Sequence, residues 1–197
     1  MISIIFLGNI GTKYALNRHN IGFIYADQII NQDQSFSLKK SINGFVFETT
    51  AEYFSNYNIS KNPNTIINNS QKIVLIKPNC YMNESGNIVS SVKSKYNPQK
   101  IIVLHDELDL QFGVIKHKFG GGDNGHNGLK SITQRIGPNY WRIRFGIGRP
   151  LNETSNNINK CISVSDHVLS NFTKDELKVI TCKHEELVSH IVQIIST

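Results

Sequence analysis

The chain has 197 residues, a net charge of +6 and a pI near 9.2, with 39% hydrophobic and 18% charged residues. That balance suits one soluble domain with a substantial core. Three widely spaced cysteines without a C-x-x-C, and no apolar run of spanning length, exclude a disulfide framework, a zinc knuckle and a membrane span, and point to a reducing cytosol.

The first apolar run, Ile2 to Leu7, stops at Gly8 and reads as a buried central strand, not a signal sequence. From near Asn20, "NIGFIYADQII" spaces its apolar residues as a helix does. "GFVFETTAEY" is alternating, β-branched and aromatic, which predicts a strand. The Asn-rich stretch from Ser55 to Gln71 predicts a polar surface loop. "KIVLIKP" is a further buried strand, "ESGNIVSSVKSKY" a helix, and "KIIVLHDELDL" a strand whose apolar half ends at His105 and Asp106. A short strand "GVIKHKF", a short helix "NGLKSITQRI" and a strand "YWRIRFGIG" follow. Leu151 to Lys160 reads as a polar loop. "TKDELKVITCKHEELVSHIVQII", with a Thr cap and acidic first turn, predicts one C-terminal helix. Strands alternating with helices predict a single α/β domain over residues 1–197, with a twisted, mixed but mostly parallel sheet covered by helices.

In such a sheet ligands gather at the carboxyl ends of strands. Asn9, Asn83 and Asp106 fall after such strand ends, and "FGGGDNGHNGL" adds His126 and Asn127. The glycine run lacks the Gly-Lys-Ser/Thr of a phosphate-binding loop. Its glycines suit tight turns and close backbone approach. One His and one Asp can form a base and its orienting partner. With no Gly-x-Ser-x-Gly elbow and no cysteine in a nucleophile motif, that pair points to direct attack by water. The carboxamides of Asn9, Asn83 and Asn127 suit a substrate built of ester and peptide units, and can steady an oxyanion. The basic excess leans toward an anionic partner such as nucleic acid, although a solubilising surface charge fits it as well.

These clusters, in this order, resemble the bacterial peptidyl-tRNA hydrolase family. Its G-L-G-N-P-G-x-x-Y-x-x-T-R-H-N is similar to Phe6 to Asn20, and its [TF]-[YF]-M-N-x-S-G to Cys80 to Gly86. Its H-D-[DE]-L-D-L resembles His105 to Leu110, its G-G-x-x-G-H-N-G-L Gly121 to Leu129, and its R-[IL]-[RK]-x-G-I-G-[RH]-P Arg142 to Pro150. The resemblance implies hydrolysis of the ester between a peptide and the 3′-terminal ribose of tRNA, by a cofactor-free, metal-free cytoplasmic monomer. It places the catalytic histidine at His19 and its orienting aspartate at Asp106. It places substrate contacts at Asn9, Tyr14, Asn83, His126 and Asn127, a packing methionine at Met82, and tRNA-phosphate contacts at Lys118 and Arg144. The chain departs from the pattern at Ile10, Asn17, Gln111, Phe112, Asp123 and Asn124. Two other readings fit parts of the pattern: a metal site of His19, Asp106 and His126, and an RNA-binding relative without catalysis.

Overall fold

The computed structural model describes residues 1–32, 37–40, 43–55, 68–150 and 162–197. In chain order these form β1 (Ile2–Phe6), α1 (Ile21–Asn31), β2 (Ser37–Lys40), β3 (Gly44–Thr50), α2 (Ala51–Ser55), β4 (Lys72–Pro78) and α3 (Ser85–Tyr96). Then come β5 (Lys100–Glu107), β6 (Ile115–Phe119), α4 (Asn127–Ile136), β7 (Trp141–Gly146), α5 (Val164–Leu169), α6 (Lys174–Cys182) and α7 (His184–Ser196). All described strands join one seven-stranded sheet in the order β2-β3-β4-β1-β5-β7-β6.

The centre of the sheet, β4-β1-β5-β7, is parallel, and the antiparallel pairings lie at its flanks. Alternation along β1 shows why the apolar run is continuous. Ile2, Ile4 and Phe6 enter one core, beneath α1, α2, α6 and α7, while Ile5 and Leu7 enter the other, beneath α3 and α4. A strand covered on both faces has no polar side to show.

The structure departs from the sequence reading at several elements. The strand expected over "GFVFETTAEY" ends at Thr50, because Ala51 begins α2 and buries Phe54 against α7's layer. The single C-terminal helix is two. Thr173 caps α6 in a capping box with Glu176, and the break falls at Lys183, whose ψ of 2° departs from helical values. The strand β2 and the six-residue α5 were not anticipated, although Ser163 accepting from the Asp166 N–H is a legible cap. The loops expected at 151–160 and over most of 55–71 lie outside the described residues.

Candidate active site

The central parallel strands carry their polar residues to one end of the sheet. Asp106 lies near the end of β5, beside the end of β7. His19 sits in the 3-10 turn Arg18–Asn20 that leads into α1, and its Nδ1 stands 2.8 Å from Asp106 Oδ1. His126 arrives from the other side, as the N-cap of α4, with its Nε2 3.0 Å from the same carboxylate oxygen. The sequence reading paired Asp106 with His19 alone; the structure adds His126 as a second imidazole on Asp106.

The tautomers follow from the partners. His126 Nδ1 accepts from the backbone N–H groups of Gly128 at 3.1 Å and Leu129 at 3.3 Å, so its proton is on Nε2 and is donated to Asp106. His19 Nδ1–H donates to the same oxygen, which leaves Nε2 with a lone pair and no hydrogen-bond partner among the described residues. Burial works against a charged His19, but the Asp106 carboxylate and its hydrogen bond prevail and raise the His19 pKa above the ordinary imidazole value. Burial likewise opposes the Asp106 charge, yet His19 and His126 hold its carboxyl well below the usual range.

A third imidazole stays neutral. His105 is 2% exposed, donates from Nδ1 to the Asp106 carbonyl at 2.6 Å, and lies edge-on to His126 with ring centroids 5.1 Å apart. Burial, aided by His126, pushes its pKa down to about 3.

A cleft of about 400 Å³ opens over this group, lined by His19, His105, Asp106, His126 and Asn127, with Val164 and Val168 of α5 on its apolar side. Asn9 lines a second groove, which also carries Asn20, the residue after His19. The Asn9 backbone is held in both directions by the Asn20 carboxamide, at 2.8 and 2.9 Å. Asn9 Oδ1 accepts from the Met82 N–H at 2.8 Å, so its carboxamide presents only Nδ2, not the donor and acceptor expected from sequence. Met82 is buried and packs on Gly128, which draws the segments bearing the exposed Asn83 and Asn127 together. Tyr14 stands edge-on to Tyr81 with centroids 6.4 Å apart.

Lys118 and Arg144 lie on one face of β6 and β7 as diagonal neighbours: Lys118 is opposite Arg142, and Arg144 is in the next same-face pair, opposite Lys116. They do not line the cleft. Burial, then Arg144 and Arg142, lower the Lys118 pKa. Arg144 approaches Glu107 at 3.8 Å. The departures at Asp123 and Asn124 build the turn before His126. Asp123 accepts from the N–H groups of Gly125 and His126, and Asn124 adopts a φ of 48°, which asparagine tolerates.

The sequence assigns no role to Asn20, His105, α5 or Arg149, the last of which also lines the cleft. Asn20 and His105 were inside the motifs; what marks them is burial with a polar partner, which spacing alone does not reveal. The donor atoms of His19, Asp106 and His126 lie within 4.8 Å of one another, a spacing that could also hold a metal ion. The hydrogen bonds favour protons on the ring nitrogens facing Asp106, where a metal would need lone pairs.

Fold and site together define an α/β protein with a buried histidine–aspartate group at the carboxyl end of a parallel sheet. A family model for peptidyl-tRNA hydrolase matches residues 3–197. A peptidyl-tRNA hydrolase of Rickettsia felis is 49% identical over 179 residues, 89% of this chain and 83% of that protein. One from Rickettsia conorii is 46% identical over 183 residues, covering 91% and 85%. A crystal structure of peptidyl-tRNA hydrolase from Acinetobacter baumannii superposes with a TM-score of 0.73 at 31% identity, covering 100% of this chain and 92% of that one. The chain belongs to the peptidyl-tRNA hydrolase family.

Proposed function

We propose that this chain hydrolyses the ester joining a peptide to the 3′-terminal ribose of tRNA, with His19 as general base and Asp106 as its orienting partner. The observation that carries the reading is the 2.8 Å bond from His19 Nδ1 to Asp106, which leaves Nε2 free beside the cleft. His19 Nε2 takes a proton from water as the water oxygen attacks the ester carbonyl. The imidazolium so formed faces the Asp106 carboxylate, which favours it. Collapse of the tetrahedral intermediate breaks the bond to the ribose oxygen, and His19 returns the proton to that leaving group. The free Asn9 Nδ2 and the carboxamides of Asn83 and Asn127 hold the ester and peptide, with Tyr14 alongside. His126, held with Nε2 toward Asp106 and Nδ1 toward the Gly128 N–H, keeps the carboxylate aimed at His19. Lys118 and Arg144 contact tRNA phosphate, and the chain acts as a single-domain cytoplasmic monomer without a cofactor.

The test is release of peptide and tRNA from purified peptidyl-tRNA, with and without EDTA. Hydrolysis that persists in EDTA supports the reading. Loss in EDTA, restored by a divalent cation, assigns His19, Asp106 and His126 to a metal instead. Binding of tRNA without any hydrolysis leaves a non-catalytic RNA-binding relative.

A further inference from the structure

Arg142 is the largest fully buried side chain of the molecule among the described residues, with 0% exposure. A guanidinium out of water needs compensation, and a carboxylate is its usual partner. Arg142 has none among the described residues. Its Nη1 donates to the carbonyl of Gly122, and its Nη2 to that of Gly121 at 2.6 Å. The guanidinium carbon lies 4.6 Å from the centre of the Tyr140 ring, which supplies a negative face. The Tyr140 carbonyl in turn accepts from the Gly120 N–H at 2.9 Å, and its hydroxyl meets Thr133 Oγ1 of α4 at 3.2 Å.

The two captured carbonyls belong to the glycine loop that ends at His126. Gly120 and Gly121 have φ values of 66° and 105°, in the left-handed region that favours glycine. A backbone so free has no stiffness of its own, and two carbonyls turned inward need two donors at fixed spacing. A planar guanidinium fork supplies both; an ammonium supplies a point charge without that geometry. The loop then leaves the buried fork, turns at Asp123 and delivers His126 to Asp106 and Asn127 to the cleft.

We infer that Arg142 is a positioning residue of the site: it locks the Gly121–Gly122 backbone and thereby sets His126 against Asp106 and Asn127 at the cleft. It touches neither substrate nor reacting atoms. The inference rests on the proposed hydrolysis for its kinetic readout and on the loop geometry for its structural one.

The experiment compares wild type, Arg142→Lys and Arg142→Ala on peptidyl-tRNA, with circular dichroism and a urea midpoint as folding controls. A folded Arg142→Lys should lose about 10²-fold in kcat, the scale of an ångström-level misplacement. The acid limb of its pH profile should stay where it is in wild type, because His19 is built on other elements. Guanidinium ion should restore Arg142→Ala saturably, whereas equal ionic strength of sodium chloride should not. In wild type, nitrogen-15 NMR should show resolved, slowly exchanging Nη protons on Arg142 and a His126 ring protonated at Nε2; the His126 signature should be averaged in Arg142→Lys. Normal kcat in a folded Arg142→Lys, or fast-exchanging Nη protons in wild type, would overturn the inference. Should Arg142→Ala not fold, the wild-type NMR measurement and the lysine variant still decide it. Should wild type show no hydrolysis, the proposed function fails, and the NMR arms alone decide the role of Arg142.

Discussion

Asp106 carries the heaviest electrostatic load of any residue in the site. It is 4% exposed and stays ionised because two imidazoles donate to one oxygen. Asp106→Asn removes the charge that raises the His19 pKa and turns one carboxylate oxygen into an N–H donor, so the group no longer dictates which His19 nitrogen carries the proton. The kcat should fall by about 10²- to 10⁴-fold, with a smaller change in KM, since the imidazolium forms only as water is deprotonated. The pH profile carries a second signature. With His19 as the proposed base, hydrolysis needs its neutral form, so kcat/KM should rise as pH rises through the His19 pKa. Because Asp106 holds that pKa above the ordinary value, the acid limb of wild type lies above about 6.5 and should move to lower pH in Asp106→Asn. An unmoved acid limb, or a rise in KM alone, contradicts the pairing.

Among elements, the contact between α3 and α4 places the site's second half. Gly86 in the first turn of α3 faces the Ser131 backbone of α4 so closely that a Cβ would collide with its carbonyl. Its N–H donates to Ser131 Oγ at 3.0 Å. Gly86→Ala should therefore destabilise the fold by about 1–3 kcal/mol through overpacking, read as a lower urea midpoint with unchanged slope. It should also displace α4, and His126 with it. An unshifted midpoint would show that the helices can part without cost. This contact was not legible in the sequence, where Gly86 closes a motif inside a helical pattern and nothing marks Ser131 as its partner. The bounds of α4 were legible, because the glycine loop and Gly137 bracket an amphipathic run. The break at Lys183 was not, since no glycine or proline marks it and the periodicity runs on. Two helices there let Ile180 and the apolar face of α7 reach the same core.

On the scale of the whole molecule, the parallel centre of the sheet gathers distant motifs at one end. Order and spacing in the chain made His19, Asp106, His126 and the three asparagines legible as candidates. The sharing of Asp106 by both histidines was not, because which nitrogen faces which oxygen depends on the relative placement of α1, β5 and α4. The net charge of +6 sits partly on the β6–β7 face, where Lys118 and Arg144 lie outside the cleft. If they grip phosphate, Lys118→Ala and Arg144→Ala should each raise KM for full-length peptidyl-tRNA. Each should also flatten the slope of log K against log salt by about 0.7 to 0.9. A minimal ester without an acceptor stem should lose much less. Equal losses on both substrates would place these residues in structure or chemistry instead. The account stands most directly on one measurement, the single-turnover rate of peptidyl-tRNA cleavage by folded His19→Ala at saturating enzyme. With His19 as the base, that rate falls by about 10²- to 10⁴-fold while tRNA binding is kept; a near-normal rate would contradict it.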